Sequence, residues 1–197
     1  VCSSDLQTVT HHRVVMAMKS RNRLSLPLLA AMALLPAIAG GQDVLRNCIW
    51  LAGVARHLKV PVVVSEQYPA GLGPTAAPLL AALEDARFVE KTHFSCVADG
   101  CLTGTEVDAR RQVVVAGTEA HVCVMQTVLE LRWQGKEVFL VEDAVGSRKP
   151  GDKAASLARM RAHGVEVVTR EMVAFEWLKR SATELFREVN RDFIRDN

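Results

Sequence analysis

The sequence has no C-x-x-C pair, and its five cysteines, at positions 2, 48, 96, 101 and 123, are odd in number. Both facts argue against the disulfide framework of a small secreted protein and against a structural zinc site, and leave reduced thiols as the default. No G-x-G-x-x-G follows a strand pattern and no G-x-x-x-x-G-K-[ST] occurs, so dinucleotide and nucleoside-triphosphate binding lose their usual signature. There is no G-x-S-x-G elbow for a serine hydrolase. Aromatic residues are only 5% and scattered, with no platform for stacking bases. Charge of one sign is lacking too. The 24 basic and 22 acidic residues leave a net +2, too balanced for nucleic-acid binding by bulk charge. The longest apolar run, Leu24 to Ala39, falls short of the ~20 residues a membrane-spanning helix needs.

What is present is globular. Hydrophobic residues make up 49% and charged residues 23% of 197, which excludes disordered and collagen-like classes. A chain of this length forms one domain and buries a core without a metal or disulfide staple. We expect an N-terminal extension over 1–23 and a domain over 24–197. The run Leu24–Ala39 has two readings. Preceded by Lys19, Arg21 and Arg23 and ending in Ala37-Ile38-Ala39, it imitates a signal peptide. It also reads as a first buried strand followed by a loop, with Pro27 and Pro36 weakening either form. Cleavage after Ala39 would strip a parallel sheet of its first strand, which favours a cytoplasmic protein over a secreted one.

From residue 42 onward, helical and strand patterns alternate. Val44, Leu45, Cys48, Ile49, Leu51, Ala52 and Leu58 fall at helical spacing, and Cys48 reads as a small core hydrophobe. Val60–Val64 reads as a buried parallel strand, followed by a polar loop over Ser65–Pro74. Thr75 is expected to cap a helix that ends near Leu83. Arg87–Lys91, Val113–Gly117, Val138–Val141 and Val165–Thr169 are further strands. A long loop over Thr92–Thr105, with Cys96 and Cys101 as loop thiols, a helix closed by Gly135, a helix to His163 and a charged helical tail from Glu171 complete the pattern. Such alternation implies βαβ units, hence an α/β three-layer fold with an open, parallel, Rossmann-like sheet of about six strands. Ligands bind such sheets at the strands' carboxyl ends, where the loops after Val64, Val89, Gly117 and Val141 should converge.

Cys123 stands about six residues beyond a central strand, at the start of a helix. There the helix dipole would lower its pKa and the nearby N–H groups would form an oxyanion hole. Lys91 closes a neighbouring strand, so its ammonium should favour a thiolate or a developing oxyanion. The competing account makes Cys123 a packed core residue and Lys91 a solvated end. His121 is a base or a loop filler. Glu66, Tyr68 and Glu119 lie in cleft loops, each a ligand contact or a turn residue.

The stretch Val115-Ala116-Gly117-Thr118-Glu119-Ala120-His121-Val122-Cys123-Val124-Met125-Gln126-Thr127, with Gly135 and Asp143-Ala144-Val145-Gly146-Ser147-Arg148, resembles the isochorismatase-like cysteine hydrolases. Ser65–Thr75 and Lys91-Thr92-His93-Phe94-Ser95 resemble one branch, the isochorismatase-domain-containing hydrolases of unassigned substrate. The likeness runs from about Leu34 to about Leu178. It implies a three-layer α/β fold, an oligomer, and an Asp–Lys–Cys site with Cys123 as nucleophile and Lys91 as the lysine. Glu66, Tyr68, Phe94, Glu119 and Ala120 are the expected substrate contacts. A cis peptide is implied near Glu119-Ala120.

Two departures from the family pattern matter. The loop Glu66-Gln67-Tyr68 lacks the histidines of the metal-dependent nicotinamidases, so no metal and no cofactor are expected. The nucleophilic Cys favours C–N hydrolysis over vinyl-ether cleavage. The family's catalytic Asp position falls on Leu29, or on Ala31 if the register slips by two; the only Asp-x-Gln is Asp5-Leu6-Gln7, far too early in the chain. The expected function is therefore a metal-independent, amidase-type cysteine hydrolase of a small molecule. It acts as a homo-oligomer with neither nucleic acid nor membrane as partner. The alternative is an impaired relative, lacking its general base, that binds a ligand or a partner. A third account places the fault in the first thirty or so residues, as an out-of-frame or misjoined stretch ahead of Leu34.

Overall fold

The computed structural model describes residues 24–30 and 32–195. Six strands form one sheet in the order β3-β2-β1-β4-β5-β6, and every neighbouring pair is parallel. They are β1 (Leu24–Ala30), β2 (Val62–Gln67), β3 (Arg87–Lys91), β4 (Gln112–Thr118), β5 (Glu137–Gly146) and β6 (Glu166–Val168). The chain winds outward from β1 to β3, returns to β4 beside β1, and winds outward the other way. This is the doubly wound arrangement, with its topological switch between β1 and β4.

The fully buried strand β4 shows why the layers form. Val114 and Ala116 join one core cluster with Leu51 and Val54 of α1 (Gly41–His57) and Trp177 of α8 (Arg170–Leu178). Val113 and Val115 join a second, with Val128 and Leu131 of α6 (Met125–Trp133) and Leu157 and Met160 of α7 (Pro150–Ala162). Alternation of period two splits a continuous valine run between two helical layers. The run Leu24–Ala30 is the strand between β2 and β4. Its ladder to β4 has pairs at Leu24, Ser25, Leu28 and Leu29 and none at Pro27, which has no N–H to give.

Short helical elements punctuate the connections: α2 (Pro69–Leu72), α3 (Ala77–Leu80), α4 (Cys96–Asp99) and α5 (Glu106–Ala109). The structure departs from the sequence expectations at several points, among them the end of β5, which runs on to Gly146 instead of stopping at Val141. β2 runs on through Ser65, Glu66 and Gln67, because β3 supplies ladder partners at Val89, Glu90 and Lys91. Thr75 caps no helix; its N–H and hydroxyl both donate to Glu66 Oε1, each at 2.6 Å. The tail breaks after α8 at Lys179, whose φ is 61°, and resumes at Thr183, which caps α9 (Glu184–Val189). No cis peptide occurs among the described residues; the chain turns instead through Glu119 at φ 58°.

A 3-10 turn (Met32–Ala37) leads from β1 to α1, and Gly41 closes against it. A Cβ at Gly41 would stand 2.4 Å from the Leu35 carbonyl oxygen, a backbone atom that cannot yield cheaply. Gly41→Ala should cost about 1–3 kcal/mol, read as a lower urea midpoint. Gly151→Ala, where a Cβ meets nothing within 4 Å, should lose none.

Candidate active site

The parallel ladder of β2 and β3 ends on one rung, Gln67 opposite Lys91. Lys91 is 4% exposed and Gln67 9%. The Lys91 ammonium donates to Gln67 Oε1, to the His93 carbonyl at 3.0 Å and to the Phe94 carbonyl at 2.8 Å. Its three N–H bonds are thereby all committed. Gln67 Nε2 donates to the Thr92 carbonyl at 2.8 Å, which turns Oε1 inward. Among the described residues, no carboxylate forms an ion pair with Lys91.

Cys123 arrives from the centre of the sheet. β4 ends at Thr118, Glu119 turns through the left-handed region, and a π-helical turn (Ala120–Val124) carries Cys123 before α6 begins. Its thiol is 6% exposed and lies 3.8 Å from Gln67 Oε1. Cys123, Gln67 and Lys91 thus form one contiguous buried group. The expected low thiol pKa is not what this burial produces. Desolvation pushes the Cys123 pKa up, Lys91 pulls it down only in part, and Cys96 and Glu119 push it up further. The turn also spends N–H groups on itself: Val122 and Val124 both donate to the Glu119 carbonyl, at 2.9 and 3.3 Å.

The other thiols divide by burial. Cys48 is a core residue whose thiol donates to the Ala144 carbonyl at 3.3 Å, and burial drives its pKa up to about 12. Cys96 is not a loop thiol but a fully buried residue of α4, its N–H donating to Thr127 Oγ1 at 3.0 Å. The Cys101 thiol beside it pulls the Cys96 pKa down, against the burial that raises it. A sulfur with no exposed surface meets no substrate, so the more acidic thiol is not the accessible one.

The remaining expected contacts scatter around this group. Tyr68 and Phe94 are each 55% exposed and stand within three residues of Gln67 and Lys91 along the chain. The Tyr68 N–H donates to the Lys91 carbonyl at 2.8 Å. Glu66 is occupied as the strut that ties Thr75 to β2. Glu119 is buried and takes the Arg148 guanidinium at 3.0 Å. Ala120 is fully buried in the core behind the turn. His121 pairs with Ser147 Oγ at 3.0 Å and stands 3.8 Å from Asp152. Leu29, the expected Asp position, lies opposite Ser65 and Gly117 in the ladders. Ala31 and Asp5 lie outside the described residues. Gln67 escaped the sequence analysis. The alternation Val63, Ser65, Gln67 marks it as facing with Lys91, once the strand is allowed to run past its valines.

Fold and site first define a class: a doubly wound α/β protein with its polar side chains gathered at the strands' carboxyl ends. The Isochorismatase domain family matches residues 29–172, and the chain belongs to that family. Membership supports a hydrolase-type function. Isochorismatase domain-containing protein 2 of Pongo abelii is 40% identical over 141 residues, 70% of this chain and 66% of that protein. The chain thus spans just under two thirds of that relative. Isochorismatase domain-containing protein 2A of Mus musculus is 35% identical over 159 residues, 79% of this chain and 75% of that one. Among solved structures, the MAR1 ribonuclease of Caenorhabditis elegans superposes with a TM-score of 0.82 at 31% identity, covering 89% and 91% of the two chains. The Escherichia coli YcaC gene product, described as an octameric hydrolase of unknown specificity, shares the fold at TM-score 0.82 and 21% identity, covering 90% and 91%.

Glu119 and Arg148 offer a check on the turn that carries Cys123. Arg148→Met leaves a buried carboxylate without its cation and should cost about 1–3 kcal/mol in a urea titration. Adding Glu119→Gln, which removes the stranded charge, should restore most of that loss.

Proposed function

We propose that this chain hydrolyses a C–N, amide-like bond of a small molecule, with Cys123 as the nucleophile and Lys91 as the fixed positive charge beside it. The observation that carries this reading is the buried contact chain Lys91–Gln67–Cys123 at the carboxyl edge. An ammonium and a thiol held together out of water suit a carbonyl that gains negative charge when sulfur attacks. Sγ bonds to the carbonyl carbon, the thiol proton passes to the departing nitrogen, and the C–N bond breaks to leave a thioester. Water then attacks the thioester, returning the proton to sulfur and releasing the acid. Tyr68 and Phe94 supply apolar walls at the mouth, with Glu119 and Ala120 behind the Cys123 turn. Glu66 acts on the substrate loop through Thr75.

A specific observation favours a second reading, a binding protein that has lost its chemistry. The Cys123 pKa is raised, and among the described residues no carboxylate pairs with Lys91 to manage the proton. The near-even charge supports a small molecule over RNA, so RNA cleavage serves as the counter-assay to a panel of small amides.

Turnover should climb with pH beyond 9.0, the ordinary thiol value, because burial raises the Cys123 pKa and sulfur attacks faster as its proton is lost to solvent. On that limb the departing nitrogen takes its proton from water. Cys123→Ser should lower kcat by about 100-fold or more with an unchanged melting temperature. Turnover that survives the substitution would refute the nucleophile; saturable binding without turnover would favour the second reading.

We also propose a homo-oligomer, supported by the octameric E. coli neighbour. Light scattering on the purified chain should give at least twice the protomer mass, and a monomer at micromolar concentration would refute this.

A further inference from the structure

We propose that Gln67 is a positioning residue: its carboxamide oxygen holds Cys123 as a neutral thiol and competes with the sulfur for the Lys91 ammonium. This rests on reading Cys123 and Lys91 as the working pair, but it concerns ionisation and not turnover.

Three observations carry it. The Gln67 amide has only one workable orientation. Its Nε2 is spent on the Thr92 carbonyl at 2.8 Å, and a flipped amide would set an NH2 group against the Lys91 ammonium. Only Oε1, an acceptor, can therefore face the sulfur at 3.8 Å. An acceptor stabilises S–H; it repels S⁻. Second, the Lys91 ammonium directs its N–H groups to Gln67 Oε1 and to the His93 and Phe94 carbonyls. Its charge lowers the Cys123 pKa, its hydrogen bond to the sulfur adds the smallest of the contributions, and desolvation outweighs either. Third, Cys123 keeps only a small exposed edge, so few waters are at hand to stabilise a thiolate. The charged and titratable groups acting on Cys123 are Lys91 from β3, Cys96 from α4 and Glu119 from the end of β4. Only Lys91 favours the thiolate, and Gln67 Oε1 contacts both partners.

A carboxamide and a carboxylate differ here by charge and little else, whereas an aliphatic side chain removes the acceptor. The two substitutions should move Cys123 in opposite directions. Without the acceptor, a Lys91 N–H is free to meet the sulfur and the thiolate gains. With Gln67→Glu, a carboxylate neutralises Lys91 and faces the sulfur, and the thiolate loses.

The test is alkylation of the full chain with iodoacetamide, pulsed across pH 6–11, with the Cys123 peptide followed by mass spectrometry so that Cys48, Cys96 and Cys101 are scored apart. In Gln67→Leu the alkylation midpoint of Cys123 should fall by about one pH unit, a tenfold gain in thiolate fraction below the midpoint. In Gln67→Glu it should rise by a similar amount. Gln67→Met replaces the leucine variant if that one melts early. Midpoints that stay put, or that move the same way in both variants as a merely loosened pocket would make them, overturn the proposal. Failure of the nucleophile reading is a separate result, read from the turnover of Cys123→Ser, and leaves these midpoints untouched.

Discussion

A lysine ammonium taken almost wholly out of water governs the architecture of the carboxyl edge. Desolvating such an ion costs several kcal/mol, and the cost falls only if every N–H finds an acceptor. Lys91 finds three, none of them charged. Two are main-chain carbonyls of the loop that follows β3, so that loop must fold back over the strand that feeds it. Asp99 holds it there: one carboxylate oxygen accepts the Thr92 N–H at 3.0 Å, the His93 N–H at 3.1 Å and the His93 ring at 3.0 Å. Those bonds keep the Asp99 pKa below its ordinary value. Ser95 then caps α4 and donates to Glu130 of α6 at 2.6 Å. The helix that carries Cys123 at its leading end is thereby tied to the loop that solvates Lys91.

The thiol obeys the same constraint with the opposite sign. Burial that costs an ammonium its water also penalises a thiolate. The nearby Lys91 cation pulls the Cys123 pKa down, and desolvation pushes it up by more. The fold therefore supplies the positive charge and the enclosure for a thiolate but rests in the thiol form. What tips such a site is the acceptor in the middle, since it decides which of the two partners the ammonium can reach.

The parallel sheet of about six strands, and the placing of Lys91 at a strand end and Cys123 beyond a central strand, were legible because each depends on local pattern. Arg87–Lys91 is a strand followed by a polar loop, and Val113–Gly117 is an uninterrupted β-branched run. Gln67 was not legible for a physical reason. Its strand is prolonged past the valines by ladder bonds to β3, which no property of Ser65, Glu66 or Gln67 announces. Once prolonged, period two reverses the expected roles: Gln67 turns toward Lys91, and Glu66 turns to Thr75. The direction of the Cys123 shift was hidden likewise. A helix start can be read from sequence, whereas depth of burial is set by the layers packed above it.

The family's acid position brings fold and chemistry apart. Leu29 belongs to β1, and β1 is held by main-chain ladders to β2 and β4 on either side. Backbone pairing of this kind accepts any residue that tolerates an extended strand, so the sheet itself requires no carboxylate there. Lys91 must then be balanced by dipoles: two carbonyls and an amide. An ammonium balanced by dipoles retains its full positive charge, whereas one paired with an acid does not. The arrangement is therefore better suited to stabilising an anion that arrives or develops beside Lys91 than to moving a proton away from Cys123. In the proposed reaction, proton transfer falls to the substrate's own leaving group, which restricts useful substrates to those whose departing nitrogen is basic enough to take it.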